Sequence, residues 1–588
     1  MRPDNKSDGI YLKGLVFPLV FLAIAISTFV FSSINKSISS SSVYIIVNFV
    51  IFIAAILAFL YLFARRIISL LRQDNTEKSG EIVTFILVFA CAAIFIFVKM
   101  GGYFTGRFMI LPLIMGDMFQ GGMFDVVRGD PRTYSSVIYS IIGLLPLVRI
   151  TPYFVLGVNR ILSVFLLVSV FLTARKVSKN AWIGLLVMFS FASFSDIRWM
   201  LSSIEYGLGA LLFSTLSVFF LFDFEERRKI ELFIMSCLCL VIASYYRYEL
   251  SLIFGLSYLI YCGLFLARHR KTRIFMAVTA VILAFNMMAF LKRFTVVNDV
   301  ILAGEKLASL TLGGYLANTI NVLNNNLVVN KDLALSSGHV SIFLYAGLAI
   351  SLAWILVLAY RVIRKRGITS ENSRLYIFVF YILIFFTFQA GFHMEGFRTP
   401  KYHANYFLGE VMLVYYSLGW LIDRVVKLGA ETREELKLSA AVIFFVLAMV
   451  TSNSLSFSGP PWIEPQVGDM NQLLGNVRFD YGCSIMKVHT GQPILDFYFG
   501  AQKNALYLGY PPGFYQDLEY ILNSENRTGK CFYYYFESYR EFDYLYEGTA
   551  RIERQRVDEI FSSFSCNSSV EYENKSQERP LSLVKYMC

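Results

Sequence analysis

The chain is short of charge. Asp, Glu, Lys and Arg together make up 16% of its 588 residues, where a soluble protein carries about a quarter. That shortage excludes the usual soluble multidomain enzyme, which needs a charged surface for each domain. Histidine is scarcer still, with five residues, and there is no Cys-x-x-Cys pair or His/Cys cluster to hold structural zinc. No glycine-rich phosphate loop, no Gly-x-Ser-x-Gly and no His-Glu-x-x-His is present. The missing nucleotide signature argues against an ATP-driven pump and against an enzyme using nucleotide sugars in the cytoplasm. The net charge of +11 invites a nucleic-acid partner. That reading is rejected, because Lys and Arg sit in short clusters between apolar runs and are not gathered on one domain.

Apolar residues are what the chain has in excess. They make up 56% of it, with a mean hydropathy of +0.56. They recur in runs of roughly 17 to 23 residues, about the length that crosses a bilayer core. The sequence therefore reads as an all-α polytopic membrane protein with about thirteen transmembrane helices. The spans fall near 15–33, 43–63, 82–99, 153–173, 181–197, 206–222, 231–246, 250–267, 274–291, 340–360, 375–391, 406–422 and 437–454. The first run lacks a small-residue cleavage site, so it reads as a span and not as a signal peptide. Arg2, Lys6 and Lys13 precede it and keep the N-terminus cytoplasmic. The spans contain almost no charge and show no internal repeat.

Charge parity tests this list. The basic clusters are Arg65-Arg66, Arg175-Lys176, Arg227-Arg228-Lys229, Arg268 to Lys271, Arg364-Lys365-Arg366, and Arg424 with Lys427. All fall on the cytoplasmic side, provided that Ser135 to Arg149 lies in the interface and does not cross. The long loops 100–152, 292–339 and 392–405 then face outward, as does the tail from 455. The implied location is the plasma (inner) membrane of a bacterium. Three segments follow: 1–80 with two extra N-terminal helices, a catalytic helical module at 81–454, and a domain at 455–588.

The tail opens with Gly459-Pro460-Pro461-Trp462, a breaker and interface anchor. Short aromatic runs such as Phe532-Tyr533-Tyr534-Tyr535-Phe536 predict a small α/β domain. Arg551 to Phe564 reads as an amphipathic helix. Cys91, Cys237, Cys239 and Cys262 fall in spans, whereas Cys483, Cys531, Cys566 and Cys588 fall in the tail. An even set outside the cytoplasm predicts two disulfides, with all three pairings open.

Chemistry concentrates in the outer loops. Asp117, Asp125 and Asp130 lie within one short stretch after the third span. Asp117 is flanked by Met115, Met118 and Phe119, and a carboxylate in that setting is costly unless it has a task or a partner. It is the candidate general base. The second group is Arg398, Lys401 and His403, entering the twelfth span, with His393 and Glu395 just before. Cations on the side opposite to the usual positive bias need a reason, and gripping a phosphate is one. The third group, Arg247 and Glu249, stands between two closely spaced spans, where the pair would brace a helix break. His339, His489 and Glu205 stand alone.

Taken in order, these features resemble the GT-C superfamily of membrane glycosyltransferases, in particular the branch of protein mannosyltransferases and aminoarabinose transferases. The resemblance covers about residues 80 to 425. Asp117 matches the acidic position of the first outer loop. Asp130-Pro131-Arg132-Thr133-Tyr134 stands where that branch has His-Pro-Pro-hydrophobic-Tyr, so any role of the missing His is either absent or supplied by Arg132. Asn159-Arg160-Ile161-Leu162-Ser163 matches the start of an arginine-led span. Tyr246-Arg247-Tyr248-Glu249-Leu250 is similar to a Thr-Arg-x-Glu-Gly motif, and Phe397 to Tyr402 to a late Pro-Arg-Tyr segment. The Trp-Trp-Asp-Tyr-Gly motif of oligosaccharyltransferases is missing, so transfer of whole glycans to Asn is not expected.

The resemblance implies transfer of one sugar from a polyprenyl-phosphate donor to a glycan, lipid or protein acceptor outside the cytoplasm. Asp117 is the base, and Arg398, Lys401 and His403 hold the donor phosphate. Asp125, Asp130, Arg132, Arg247, Glu249 and His393 give support. The reaction is compatible with a divalent metal and does not require one. Two other readings stand beside it. One is a polymerase or ligase of polyprenyl-linked glycans, in which cations do the work. The other is a transporter, which needs charge inside the spans and repeat symmetry.

Overall fold

The structure, a computed structural model, describes residues 11–34, 42–71, 79–99, 152–193, 207–247, 249–296, 338–364, 373–392, 400–425, 430–451, 482–488, 505–508, 513–524, 530–537, 554–574 and 581–588, with a few isolated positions between them. Every expected span coincides with a helix. In chain order these are α1 (Val16–Ile34), α2 (Ser42–Leu71), α3 (Ser79–Ile94, extended by a π turn at Phe95–Lys99), α4 (Pro152–Ser178) and α5 (Ala181–Ser193). Then come α6 (Gly207–Arg227), α7 (Ile230–Tyr246), α8 (Glu249–Phe265), α9 (Arg270–Val296), α10 (Gly338–Ile363), α11 (Tyr376–Phe392), α12 (Pro400–Val425) and α13 (Ala430–Thr451). Among the described residues, α2, α4, α6 and α10 are long and apolar enough to cross a membrane.

The apolar runs make helices because each can satisfy its backbone hydrogen bonds within itself. Their ends are set by specific residues. Lys179 takes a left-handed φ of 58° and ends α4. Asn180 then caps α5, its Oδ1 accepting from the backbone N–H of Trp182 at 2.9 Å. Arg228, with φ 54°, makes the equivalent turn between α6 and α7. Those two helices meet through small residues, with Ser217 and Ser236 each donating to the other's carbonyl oxygen at 2.9 and 2.7 Å. Tyr258 on α8 joins at 2.8 Å from the Ser236 hydroxyl. The outer helices keep apolar side chains on the surface. Leu356 and Ile363 of α10 are 71% and 78% exposed, an arrangement that water disfavours and lipid does not.

The N-terminal helices pack on the rest of the bundle. Phe21 of α1 and Phe52 of α2 are fully buried, and Tyr245 of α7 donates from its hydroxyl to Asn48 of α2 at 2.9 Å. A short 3-10 turn, Leu12–Leu15, lies along the end of α8, where the Tyr11 N–H donates to the Leu264 carbonyl at 2.9 Å. Here two glycines meet backbone to backbone, and a Cβ on Gly14 would collide with the Gly263 carbonyl. Gly263→Ala is therefore expected to destabilise the protein by about 1–3 kcal/mol. Gly157→Ala is the control, because its added Cβ meets no described atom within 4 Å. Thermal unfolding in detergent should separate the two.

The tail is a five-stranded mixed sheet with two helices. Its elements are β1 (Ser484–Val488), β2 (Ala505–Leu508), α14 (Gly513–Ser524), β3 (Cys531–Glu537), α15 (Arg554–Ser563), β4 (Asn567–Asn574) and β5 (Leu581–Met587), in the order β2-β1-β3-β5-β4. The strands β2, β1 and β3 are parallel, and β5 runs antiparallel to both β3 and β4. Alternation along β3 sends Phe532 and Tyr534 to one face. There they pack with Leu518 and Leu522 of α14 and with Val557 and Phe561 of α15. The expected amphipathic helix is α15, which buries its apolar stripe on the sheet. Strand register chooses the disulfides, Cys483–Cys531 and Cys566–Cys588. Asp480 joins the first pair to form a group of metal-type donors, but its two thiols are already bonded to each other.

Candidate functional site

The bundle concentrates its charge at two levels. The first is the end where the basic clusters lie. Asp223, in the last turns of α6, has a fully buried side chain. It pairs with Arg66 of α2, with Lys176 of α4 at 2.8 Å and with Arg227 at 3.1 Å. Glu225 accepts from the Tyr261 hydroxyl of α8 and from Arg374 Nε at 3.1 Å. Glu226 accepts from Lys176 at 2.7 Å and from Arg374 at 3.0 Å. Burial pulls the Arg374 pKa down, but Glu225 and Glu226 outweigh it, and the net direction is upward. This lattice joins the ends of α2, α4, α6, α8 and the residue leading into α11. It gathers basic clusters from different loops at one end, as charge parity requires.

The second level lies toward the opposite end. Arg247 caps α7 in an extended conformation, with φ −145° and ψ 104°, and is 2% exposed. Its N–H still bonds the Ala243 carbonyl at 3.0 Å, so α7 closes there and α8 starts anew at Glu249. The guanidinium is electrostatically coupled to Tyr381 of α11. Polar side chains surround this break: Asn286 of α9 donates to the Ser244 carbonyl at 2.9 Å and contacts its hydroxyl at 3.0 Å. Gly409 of α12 packs beside Tyr381, and the next residue, Glu410, is fully buried under Gly347 of α10.

Glu410 corrects the reading of the spans as nearly free of charge. It lies inside the twelfth span, in Tyr406-Phe407-Leu408-Gly409-Glu410-Val411. A lone carboxylate inside an apolar run was the available signal, since such groups are rarely without a role. The acidic trio at the end of α6 was equally legible, as Asp223, Glu225 and Glu226 directly precede the basic cluster.

Of the residues singled out in the sequence, Arg247 is buried at its helix break, and Glu249 is the first residue of α8. Lys401 and His403 stand in the first turn of α12, directly after Pro400, which suits the first position of a helix. Asp117, Asp125, Asp130, Arg132, His393 and Arg398, with the expected interfacial helix at 135–149, lie outside the described residues. Helix direction places the α7–α8 break and the start of α12 at the same end of the bundle. The end of α7 that carries Glu231 pairs with Arg65 at 3.3 Å, and the end of α12 that carries Asp423 pairs with Lys437 at 2.8 Å, both at the basic end.

No family model matches the chain, and no curated protein matches it.

Proposed function

We propose that this chain is a glycosyltransferase of the GT-C type, embedded in the plasma (inner) membrane, that takes a sugar from a polyprenyl-phosphate donor. In this reading all thirteen helices cross the bilayer. The basic end faces the cytoplasm, and the tail domain lies outside. The observation that carries the reading is Arg247, a buried cation at a helix break. It shares its end of the bundle with Lys401 and His403 and stands in one of the motifs that carry the resemblance. A buried ionisable residue among apolar helices is a candidate for function.

The chemistry follows from the residues. Asp117 accepts the proton of the acceptor hydroxyl as its oxygen attacks the anomeric carbon. The bond from that carbon to the phosphate oxygen breaks, and the phosphate leaves with the electron pair. Arg398, Lys401 and His403 stabilise the charge that develops on it. One base and one phosphate clamp make a direct, inverting displacement the simplest course. Asp125, Asp130, Arg132, Arg247, Glu249 and His393 hold the loop and the clamp in place.

Arg398→Gln combined with Lys401→Gln should raise the donor KM about tenfold or more, because hydrogen bonds to charged groups are the strong ones. Steady-state transfer from a labelled polyprenyl-phosphate sugar measures it. An unchanged KM removes the clamp from the account. A second reading is favoured by Glu410 and Arg247 themselves, since buried charge is what a transporter requires. Labelled sugar that crosses a vesicle wall without covalent transfer would select that reading.

A further inference from the structure

We infer that the cleft at the basic end of the bundle binds a zwitterionic aminophosphate, the headgroup of a phosphatidylethanolamine-type lipid. The inference rests on the membrane reading above and is independent of the transfer reaction. The cleft measures 270 Å³ and lies between the α4–α5 turn, the last turns of α12 and the first turns of α13. That is below the roughly 300–1,000 Å³ of sites for drug-sized ligands, which suits a headgroup.

Its lining carries both signs of charge. Lys179, Arg374 and Lys437 are the cations, Asp423 and Glu434 the carboxylates, and Trp420 forms an aromatic wall. The carboxylates are half-open, with side chains 41% and 53% exposed, while Lys437 is drawn in between them at 2.8 and 2.6 Å. A simple anion would meet two carboxylates here, and a simple cation would meet three positive groups. A ligand with a phosphate and an ammonium can place each against its opposite. The N–H groups of a primary ammonium match Asp423 and Glu434, whereas a fully methylated one has none to give. The surroundings suit the surface of a bilayer. Trp182 stands 64% exposed at the start of α5, and the Arg424 guanidinium lies 5.5 Å over the Trp420 ring. Arg374 belongs both to the cleft and to the ionic lattice of Glu225 and Glu226, so occupancy of the cleft braces that lattice.

The test is thermal unfolding of the full chain in nanodiscs. One set contains phosphatidylcholine alone. The others mix it equally with phosphatidylethanolamine, with its N-methylated forms, or with phosphatidylglycerol. Phosphatidylethanolamine should raise Tm by about 2 °C or more. The rise should shrink with each added methyl group and be absent with phosphatidylglycerol. The Asp423→Asn/Glu434→Gln pair should erase the increment, and Lys179→Gln, which leaves Lys437 in place, should reduce it. Protection in detergent by free phosphoethanolamine would show that the headgroup alone suffices. Protection confined to nanodiscs would assign the cleft to the lipid. An equal rise with all lipids, or an increment that survives in the double variant, overturns the inference. A chain that does not enter nanodiscs overturns the membrane reading as well, and this is seen before any melting curve.

Discussion

Asp223→Ala should destabilise the helical bundle by about 3–5 kcal/mol, the range for breaking a buried ion pair by removing one partner. The side chain is fully buried and satisfies Arg66, Lys176 and Arg227 together. Its loss strands positive charges from three helices in one place. Lys176 keeps Glu226, and Arg227 is half-exposed and can turn to water. Arg66, at 20% exposure, has less room to do so than Arg227. Adding Arg66→Met should therefore recover part of the loss. Thermal or denaturant unfolding in detergent measures both variants. A change below about 1 kcal/mol, the value of an exposed pair, would mean that the lattice is solvated decoration. Glu434 at the neighbouring turn illustrates that weaker class. Its hydrogen bond from Lys437 holds its pKa below the usual carboxylate range despite some burial, but its side chain is half in solvent.

The second large effect concerns chemistry. Asp117→Asn should lower transfer by about 10²–10⁴-fold, the contribution of a positioned general base. The melting temperature should stay within a degree or two of wild type, because Asn keeps the shape and loses only the charge. The KM for the donor should be unchanged, since the phosphate clamp is separate. The loss discriminates between the two enzyme readings, because a mechanism run by cations alone tolerates this substitution. Full activity in Asp117→Asn would move the account to that polymerase or ligase reading.

The helices were legible because length and apolarity are local properties. Each run of about the right length became a helix, and turn residues such as Lys179 and Arg228 ended them. The small α/β domain was legible from short aromatic runs such as the one that forms β3, and α15 from its apolar stripe. What escaped depends on partners far away in sequence. Four tail cysteines allow three pairings, and only the antiparallel register of β4 and β5 puts Cys566 beside Cys588. Glu410 leaves the hydropathy of its run nearly unchanged, so it does not interrupt a span, yet it lies at the centre of the packing. The lattice around Asp223 joins residues up to 157 positions apart, which no local pattern encodes. For the site itself, the sequence named Arg247 as a brace of a helix break, and the break is there. It did not name Glu410, which is fully buried inside the twelfth span.

The measurement that bears most directly on the central claim is transfer by purified wild-type protein from a panel of radiolabelled polyprenyl-phosphate sugars to mixed acceptor lipids in detergent. The account predicts that one donor gives label covalently bound to an acceptor, and that Asp117→Asn does not. Label that stays on the carrier with every donor, alongside saturable binding of a polyprenyl-diphosphate glycan, would contradict it.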